Sequence, residues 1–443
     1  MIERILVAGG GTGGHLFPGV AVVEELRRRI EGLEVTFVGT ERGIEARVLP
    51  EMGENLELLE VTPLKGRKPG QLVSSLAKLP GAAGRALSLV RRYRPDLVLG
   101  VGGYASGPVL AAAAALGVPT AILEQNAHVG MTNKILAKVV GRAYVSFEET
   151  REVFREDRVR VVGNPVRQVF VDAARRAATD PDGFEARGRR VFVLGGSQGA
   201  RALNQTVPKA LARAGLSDRG ISVLHQAGAA MRDEVEASYR ELGVDAEVVP
   251  FIDDMAAAYA SASLVVCRAG ATTVAELCAV GRPAILVPFP HAADDHQGKN
   301  AEALERVGAA VAMREDRLSV RGLAEEVSRL LDDGSARRAM AAAARGAGRP
   351  DAAAAIVDDL FSWLDHPEKE LREEGPAFLD GAGDMGSDGD AADDSGGSSE
   401  TPVRRSSMPG RVPYRPVAAT AGVRRMSSRP PAPRPSLMVG WGD

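Results

Sequence analysis

Short apolar runs of strand length recur along the chain, and a longer stretch with helical spacing follows each of them. In the first half they lie at residues 5–8, 35–38, 97–99, 120–123, 143–145 and 159–162. In the second half they lie at residues 191–194, 221–224, 247–249, 264–267, 284–287 and 310–313. This alternation is typical of parallel sheets with helices on both faces. We therefore predict an α/β protein with two Rossmann-like, doubly wound domains that face a shared cleft.

One break in the alternation separates the halves. Asn164-Pro165 ends the first series, and a polar turn at residues 180–183 precedes the next strand. We therefore place the first domain at residues 1–165 and the second at 166–345, with helical sequence continuing to residue 364.

Residues 365–443 differ in composition from everything before them. They are first acidic and rich in Gly and Ser, and then rich in Arg and Pro. Such sequence cannot bury enough apolar surface to fold alone. We expect a disordered tail that catalysis does not need.

Composition narrows the class of protein. The 55 Lys and Arg residues against 58 Asp and Glu residues give a net charge of −3, which argues against a general nucleic-acid binder. Cys267 and Cys278 lie in apolar segments without metal-ligand spacing, so we expect reduced, buried thiols and no metal site. The chain starts with a strand and a glycine loop rather than a secretory signal, and it contains no apolar run of membrane-spanning length. We expect a protein of the bacterial cytosol, free or attached to a membrane face.

Three glycine-rich loops follow predicted strands: the first loop at residues 9–14, the second loop at residues 195–200 and the third loop at residues 102–108. Glycines let the backbone turn tightly beside a ligand, and the free N–H groups of the following helix then face that ligand. This arrangement favours phosphate. Three such loops suggest phosphates on both substrates, although a tight turn would explain any single loop.

The first loop also matches the glycine spacing of dinucleotide-binding proteins, so a nicotinamide or flavin enzyme is an alternative. That fingerprint needs an acidic residue at the end of the second strand, and residues 37–40 supply none. Instead, Thr12 and His15 place a hydroxyl and an imidazole in the loop. His15 is then either a group held for chemistry or a structural cap of the helix.

Polar side chains gather where other strands end, which is the edge at which parallel sheets bind ligands. Glu124 and Asn126 follow one strand, and the hydroxyls of residues 272–273 follow another, with Glu276 one helical turn later. The hydroxyls suit phosphate oxygens and the carboxylate suits sugar hydroxyls. The alternative is a helix N-cap with an exposed glutamate. The polar loop at residues 288–297 is a candidate carbohydrate-binding loop.

Residues 62–95 form a basic segment in a chain of negative net charge. The segment contains no acidic residue and has eight basic ones: Lys65, Arg67, Lys68, Lys78, Arg85, Arg91, Arg92 and Arg94. Interspersed leucines make it similar to an interfacial patch that attracts anionic lipid headgroups and inserts shallowly. The alternative is a solvated basic helix packed by its leucines.

Seven motifs occur together in order, at residues 9–18, 102–108, 124–126, 163–167, 195–200, 251–255 and 267–276. Together they resemble the MurG family, the family 28 peptidoglycan N-acetylglucosaminyltransferases, over residues 1–364. The resemblance implies a GT-B fold in which a helix at residues 346–364 crosses back to the first domain. It also implies inverting transfer of N-acetylglucosamine (GlcNAc) from UDP-GlcNAc to the 4-hydroxyl of the muramoyl sugar of undecaprenyl-pyrophosphoryl-MurNAc-pentapeptide, without a cofactor.

The resemblance assigns the lipid-linked acceptor to the first domain and UDP-GlcNAc to the second. Donor contacts are implied at Thr12, Gly13, Gly14, Asn126, Arg167, Ser197, Ile252, Ala271, Thr272, Thr273, Val274, Ala275, Glu276 and Gln297. Among them Ser197 and Thr272 suit the diphosphate, Glu276 the ribose, the Ile252 backbone the uracil and Gln297 the transferred sugar. The general base is then His15, with Glu124 as the second candidate.

The resemblance also implies a peripheral protein on the cytoplasmic face of the inner membrane. Anionic lipid and other cell-wall synthesis proteins are its implied further partners, and cell shape and cell division its cellular context. Two other classes of function stay open at this point. They are a nicotinamide oxidoreductase and a UDP-sugar epimerase of similar fold.

Overall fold

The computed structural model describes residues 2–61, 69–179, 190–196 and 199–365, without the side chains of residues 69–80, 177–179 and 293. The predictions for Ser197, for the start of the basic segment and for the tail after residue 365 lie outside the described residues.

Strands and helices alternate along the described residues. The strands are β1 Arg4–Gly9, β2 Glu34–Gly39, β3 Asn55–Leu58, β4 Leu97–Gly102, β5 Thr120–Glu124, β6 Arg142–Val145, β7 Val159–Val161, β8 Arg190–Leu194, β9 Ser222–Gln226, β10 Ala246–Val249, β11 Leu264–Cys267, β12 Ala284–Leu286 and β13 Val311–Ala312. The helices are α1 Gly13–Arg29, α2 Glu45–Glu51, α3 Pro69–Tyr93, α4 Ser106–Ala115, α5 Met131–Leu136, α6 Gln168–Thr179, α7 Arg201–Arg213, α8 Arg232–Glu241, α9 Met255–Ala260, α10 Ala271–Val280, α11 His296–Arg306, α12 Val320–Asp332, α13 Gly334–Ala347 and α14 Ala352–Asp365.

In the described part of the chain the strands form two sheets, and all neighbouring strands are parallel. The first sheet has the order β3-β2-β1-β4-β5-β6-β7, and the second has the order β10-β9-β8-β11-β12-β13. In each sheet the chain first adds strands on one side of the starting strand, β1 or β8, and then adds the remaining strands on its other side, beginning with β4 or β11. The strand order therefore reverses between β1 and β4 and between β8 and β11. A crevice opens at the carboxyl ends of the strands at such a point. The first and second glycine-rich loops follow β1 and β8, so each lies at a crevice.

The predicted two-domain α/β fold is confirmed, and all twelve predicted strands form. One described strand, β3, was missed. It is short, it lies at the sheet edge against β2, and polar residues alternate with its leucines. An edge strand with so little buried surface lacks the apolar run by which the other strands were predicted.

The central strands β1, β4, β8 and β11 are almost entirely apolar because each sheet is covered on both faces. Successive side chains of a strand point to opposite faces. In β1, Ile5 and Val7 pack with Val22 of α1, whereas Leu6 packs with Leu110 of α4 on the other side. Strands buried in this way show no alternation of polar and apolar residues.

The last described helix, α14, returns to the first sheet. Ile356 and Leu360 are buried in the core that contains β1, and the carboxylate of Asp359 accepts a hydrogen bond from the Tyr144 hydroxyl at 2.8 Å. Helix α6, in contrast, packs Phe170 into the core of the second sheet. The chain therefore crosses between the sheets before α6 and again before α14.

Both cysteines are free and buried, as predicted, and burial raises the pKa of each thiol to about 12. Within the described ranges, helices that combine the length and the hydropathy needed to cross a bilayer are absent.

Candidate active site

A cavity of about 1970 Å³ lies between the two sheets. It is lined from the first domain by the first and third glycine-rich loops, and from the second domain by the second loop and the start of α10. A pocket for one small ligand typically encloses roughly 300–1,000 Å³. This cavity therefore has room for two substrates.

Most of the residues predicted for substrate binding and catalysis meet in this cavity. Those that line it are Thr12, Gly13, Gly14, His15, Glu124, Asn126, Arg167, Ile252, Ala271, Thr272, Thr273, Glu276 and Gln297. Val274 and Ala275 instead pack against the core of the second domain.

The first and third glycine-rich loops pack backbone to backbone. The N–H of Gly10 donates to the carbonyl of Gly102 at 3.1 Å. Gly9 has a φ of 136°, and a Cβ there would come within 2.0 Å of the same carbonyl oxygen. Only glycine fits this close approach, so the two loops form one unit at the floor of the cavity.

His15 lies in the first turn of α1, and its imidazole rests on this floor. Its Nδ1 is 3.3 Å from the hydroxyl of Thr12, and a Cβ on Gly102 would come within 2.8 Å of its ring. Thr12 holds the N-cap position, so His15 is not the cap of the helix. Burial lowers the pKa of His15 and His296 lowers it further, against the hydrogen bond with the Gly10 backbone and the charge of Glu45. The imidazole is therefore neutral at neutral pH, which is the form that accepts a proton.

Glu124 is buried, and its carboxylate is surrounded by donors. Oε1 accepts from the backbone N–H and side-chain amide of Asn126, at 3.1 and 3.4 Å. Oε2 accepts from the Gly130 N–H at 2.9 Å and from the Asn133 amide at 3.0 Å. Burial raises the pKa of Glu124, although these donors oppose the shift. The carboxylate is thus used to hold the loop between β5 and α5.

The start of α10 presents donors to the cavity. The N–H of Val274 donates to the Gly270 carbonyl at 2.9 Å as the first bond of the helix. By helix geometry, the N–H groups of Ala271, Thr272 and Thr273 point out of its end. Such an end favours an anion, because the helix dipole adds to the free donors.

Glu276 lies one turn further along α10 and is 6% exposed, so the alternative of an exposed glutamate is wrong. Burial raises its pKa to about 7, although Arg167 opposes the shift. The guanidinium of Arg167 is 3.8 Å from its carboxylate and lies over the rings of Phe17 and Phe170, at 4.9 and 5.3 Å. The carboxylate is thus held at the cavity wall, where it can accept bonds from hydroxyl groups.

Two more residues that are predicted to contact the donor, Ile252 and Gln297, form hydrogen bonds within the protein. The Ile252 N–H donates to Oε1 of Gln226 at 2.9 Å, and Nε2 of Gln226 donates to the Gly196 carbonyl at 2.9 Å. Gln226 therefore joins the segment at Ile252 to the second glycine-rich loop. Oε1 of Gln297 accepts from the Phe289 N–H at 3.0 Å, which orients the Gln297 amide.

Sequence reasoning missed Gln226, Asn300 and Glu45. Asn300, buried on α11, accepts from the Ala127 N–H at 2.9 Å and donates to the Ala269 carbonyl at 3.1 Å, so it joins the two domains. All three are buried polar side chains in otherwise ordinary segments, and each has a partner that is far away in sequence. A polar residue among the apolar positions of a helix or strand is the one signal that could have identified them.

Among the residues that the structure describes, groups of three or more His, Cys, Asp or Glu side chains that could hold a metal ion are absent.

Family models match both halves of the chain. The glycosyltransferase family 28 N-terminal domain matches residues 5–145, and the family 28 C-terminal domain matches residues 190–356. The chain belongs to glycosyltransferase family 28.

Relatives within family 28 place the chain in the MurG group. A UDP-N-acetylglucosamine--N-acetylmuramyl-(pentapeptide) pyrophosphoryl-undecaprenol N-acetylglucosamine transferase from Myxococcus xanthus is 47% identical over 355 residues, which cover 80% of this chain and 91% of that protein. Its namesake from Trichlorobacter lovleyi is 44% identical over 380 residues, covering 82% and 98%. The crystal structure of Acinetobacter baumannii MurG is 31% identical with a TM-score of 0.64, covering 81% of this chain and 99% of that one. The protein with this sequence and fold is therefore an N-acetylglucosaminyltransferase, and the oxidoreductase alternative is wrong.

The second alternative was a UDP-sugar epimerase of similar fold. The crystal structure of UDP-GlcNAc 2-epimerase from Neisseria meningitidis is 12% identical to this chain with a TM-score of 0.56. The match covers 81% of this chain and all of the epimerase chain. Identity that low shows a shared fold alone.

Proposed function

We propose that this glycosyltransferase transfers N-acetylglucosamine from UDP-GlcNAc to the 4-hydroxyl of the muramoyl sugar of undecaprenyl-pyrophosphoryl-MurNAc-pentapeptide. The names of its relatives, at high identity over four fifths of the chain, carry this proposal. The cavity supports it, because donor and acceptor loops from two domains meet there. The reaction belongs to peptidoglycan synthesis, and hence to cell-wall biogenesis, cell shape and division.

The donor binds against the second domain, at residues 166–345. Its diphosphate lies at the N-terminus of α10 beside the hydroxyl of Thr272, with Ser197 as a further donor from the second loop. Glu276 accepts bonds from the ribose hydroxyls, and Ile252 contacts the uracil. The amide of Gln297 reaches the transferred sugar, and Asn126, Arg167 and residues 12–14 close the site from the side of the first domain.

The acceptor binds against the first domain, at residues 1–165, and the last helix, within residues 346–364, ties that domain to the second. The acceptor hydroxyl attacks C1 of GlcNAc from the face opposite UDP. Its proton passes to the neutral His15, the bond from C1 to the diphosphate oxygen breaks, and the electron pair leaves with UDP. The helix end and the Thr272 hydroxyl stabilise the charge that develops on the leaving diphosphate, and the anomeric centre is inverted.

The enzyme acts at the cytoplasmic face of the inner membrane, docked on anionic lipid. Helix α5 and the turn after it expose Met131, Ile135 and Val139 by 63%, 69% and 45%. Met131 and Ile135 are four residues apart on α5, so they share one face of the helix, and Val139 follows at the same spacing in the turn. Lys134 and Lys138 flank them. An apolar face with basic flanks fits shallow insertion into a bilayer that carries negative charge.

The described part of the basic segment contributes charge rather than apolar surface. Leu87 and Leu89 on α3 pack into the core of the first domain, as in the alternative of a packed basic helix. Arg85 pairs with Glu60 at 2.9 Å, and Arg91 and Arg94 remain exposed. Helix α4 contacts both α3 and α5, and all three helices pack into one core, so α3 lies on the same side of the first sheet as the apolar face.

One coupled assay tests the proposed reaction. Purified full-length protein is mixed with UDP-GlcNAc, with and without the undecaprenyl-linked acceptor, and UDP release is followed. Release that depends on the acceptor is expected, and release without it would indicate a different UDP-GlcNAc enzyme. UDP-GlcNAc should raise the Tm, whereas NAD(P) should not.

A further inference from the structure

Glu45 lies directly beneath the first glycine-rich loop and is fully buried. Its Oε2 accepts from the Gly11 N–H at 2.6 Å. Its Oε1 accepts from the Thr40 N–H at 2.9 Å and from the Thr40 hydroxyl at 3.0 Å. One carboxylate thus joins the loop after β1 to the end of β2.

Three glycines make room for this carboxylate. A Cβ on Gly10, Gly39 or Gly43 would come within 2.5, 2.4 or 2.1 Å of an atom of the Glu45 side chain. The surrounding backbone therefore fits the Glu45 side chain so closely that a methyl group at any of the three positions would collide with it. Dinucleotide-binding proteins hold a ribose with an acidic residue at the end of β2. Here the carboxylate of Glu45 faces inward and occupies backbone donors instead.

A buried carboxylate is costly unless hydrogen bonds satisfy it, and three donors do so here. The converse also holds, because removing the carboxylate would leave two backbone N–H groups and a hydroxyl without their acceptor. One of these N–H groups belongs to Gly11, which adjoins Thr12, the N-cap of α1 and the hydroxyl partner of His15. A chain of short contacts therefore runs from Glu45 to the imidazole.

We propose that Glu45 is a positioning residue of the transfer reaction: its carboxylate fixes the first glycine-rich loop and so holds His15 at the acceptor hydroxyl. The inference rests on the proposed function, in which His15 takes the proton. Glu45 does not line the cavity and acts through the loop.

The charge of Glu45 supplies a second effect. It raises the pKa of His15, whereas burial of the imidazole and the neighbouring His296 lower it. The Gly10 backbone and the Thr12 hydroxyl complete the polar surroundings of the ring. Loss of the Glu45 charge should therefore shift the pKa of His15 further downward.

Two substitutions separate geometry from charge. Glu45→Gln keeps the size of the side chain but removes its charge and turns one acceptor into a donor that faces an N–H. Glu45→Asp keeps the charge but is one methylene too short to reach both partners. We expect both to lower kcat by about 10- to 100-fold, as loss of a residue that orients an active-site group typically does. The KM for UDP-GlcNAc should stay within about twofold, because Glu45 is remote from the donor side.

The pH profile tells positioning from mere support of the fold. In Glu45→Gln, the acid-side inflection of kcat and the titration of His15 in NMR spectra should both move to lower pH. In Glu45→Asp they should stay near those of the wild type. The exposed Glu34 at the start of β2 provides the control, since Glu34→Gln removes an equal charge from the same domain without touching the loop.

Glu45→Gln with wild-type kcat and wild-type His15 titration would overturn the proposal, as would a variant that only lowers the Tm. If Glu45→Gln does not fold, Thr40→Val removes one donor to Oε1 and should lower kcat by a smaller factor, and an unchanged kcat would equally overturn the proposal. The NMR titration needs no turnover. It therefore reads the link between Glu45 and His15 even if wild-type protein fails to transfer GlcNAc, which would refute the proposed function instead.

Discussion

The hydroxyl of Thr272 donates to the backbone carbonyl of Gly14 at 3.2 Å. This bond joins the first turn of α10 in one domain to the glycine-rich loop of the other, across the cavity in which both substrates are proposed to meet. The hydroxyl has one proton, so it must leave the Gly14 carbonyl to donate to the diphosphate in the proposed complex. Donor binding is then coupled to the position of the two domains.

Thr272→Val should lower kcat/KM for UDP-GlcNAc by about 10- to 100-fold. It keeps the shape of the side chain but loses the proposed hydrogen bond to the charged diphosphate, which contributes about 1.5–3 kcal/mol. Thr272→Ser retains the hydroxyl and serves as the matched control, with activity near that of the wild type. Steady-state kinetics give kcat/KM for both variants, and equal values would show that the hydroxyl has no role.

Glu276 should make donor binding depend on pH. Its pKa is raised to about 7, and the ionised carboxylate is the form that accepts bonds from ribose hydroxyls. The Kd for UDP-GlcNAc, measured by calorimetry, should therefore fall as the pH rises through about 7. In Glu276→Gln the binding should be weaker and independent of pH over the same range. A pH dependence that survives this substitution would assign the titration to another group.

The raised pKa of Glu276 also predicts how the stability of the ligand-free protein changes with pH. Between the ordinary pKa of 4.5 and about 7, the folded state holds a proton on Glu276 that the unfolded state has lost. The contribution of Glu276 to the free energy of unfolding therefore falls as the pH rises through this window and is constant above it. As the pH rises from 5 to about 7.5, the Tm of Glu276→Gln should rise relative to that of the wild type. The exposed Glu241 offers the control, since Glu241→Gln should show no such gain.

The sequence was sufficient to predict the sheets, because buried strands such as residues 191–194 are apolar without interruption. It was also sufficient to predict the residues that gather at the cavity, because glycine-rich loops and polar residues at strand ends follow the order of the chain. It did not predict β3, whose pairing with β2 depends on an edge that only the folded sheet creates.

Side-chain networks were the other part that the sequence could not supply. Glu124 was considered as a base from its place at a strand end. Three of its four donors come from a loop whose path the sequence does not determine, and the fourth, the Asn133 amide, comes from α5. Glu276 was left open as an exposed residue, since the sequence does not show that α10 packs against α6 or that Arg167, more than 100 residues away, lies 3.8 Å from the carboxylate. Glu45 and Asn300 bind backbone groups, which carry no side-chain signal in the sequence.

The two candidate bases should respond differently to substitution. His15→Ala removes the proposed proton acceptor, so kcat should fall by about 10²- to 10⁴-fold with little change in the KM for UDP-GlcNAc. Glu124→Gln turns an acceptor toward the N–H of Gly130 or Asn126 into a donor. It should therefore loosen the loop between β5 and α5 and raise the KM for the acceptor, while the pH profile stays in place. If His15→Ala kept full turnover at saturating substrates and Glu124→Gln lost it, the two roles would have to be exchanged.

Membrane docking should depend on both the apolar face after β5 and the basic residues around it. Each basic residue near an anionic surface contributes roughly 1 kcal/mol, and salt screens this attraction within about 10 Å at 0.1 M. Cosedimentation with anionic vesicles should therefore fall steeply as salt is added. Val139→Asp places a negative charge in the apolar face and should reduce binding by about tenfold or more. Val307, 56% exposed at the end of α11 in the other domain, gives the matched control. Val307→Asp should bind like the wild type. Equal binding to neutral and anionic vesicles, or an unaffected Val139→Asp variant, would locate the docking surface elsewhere.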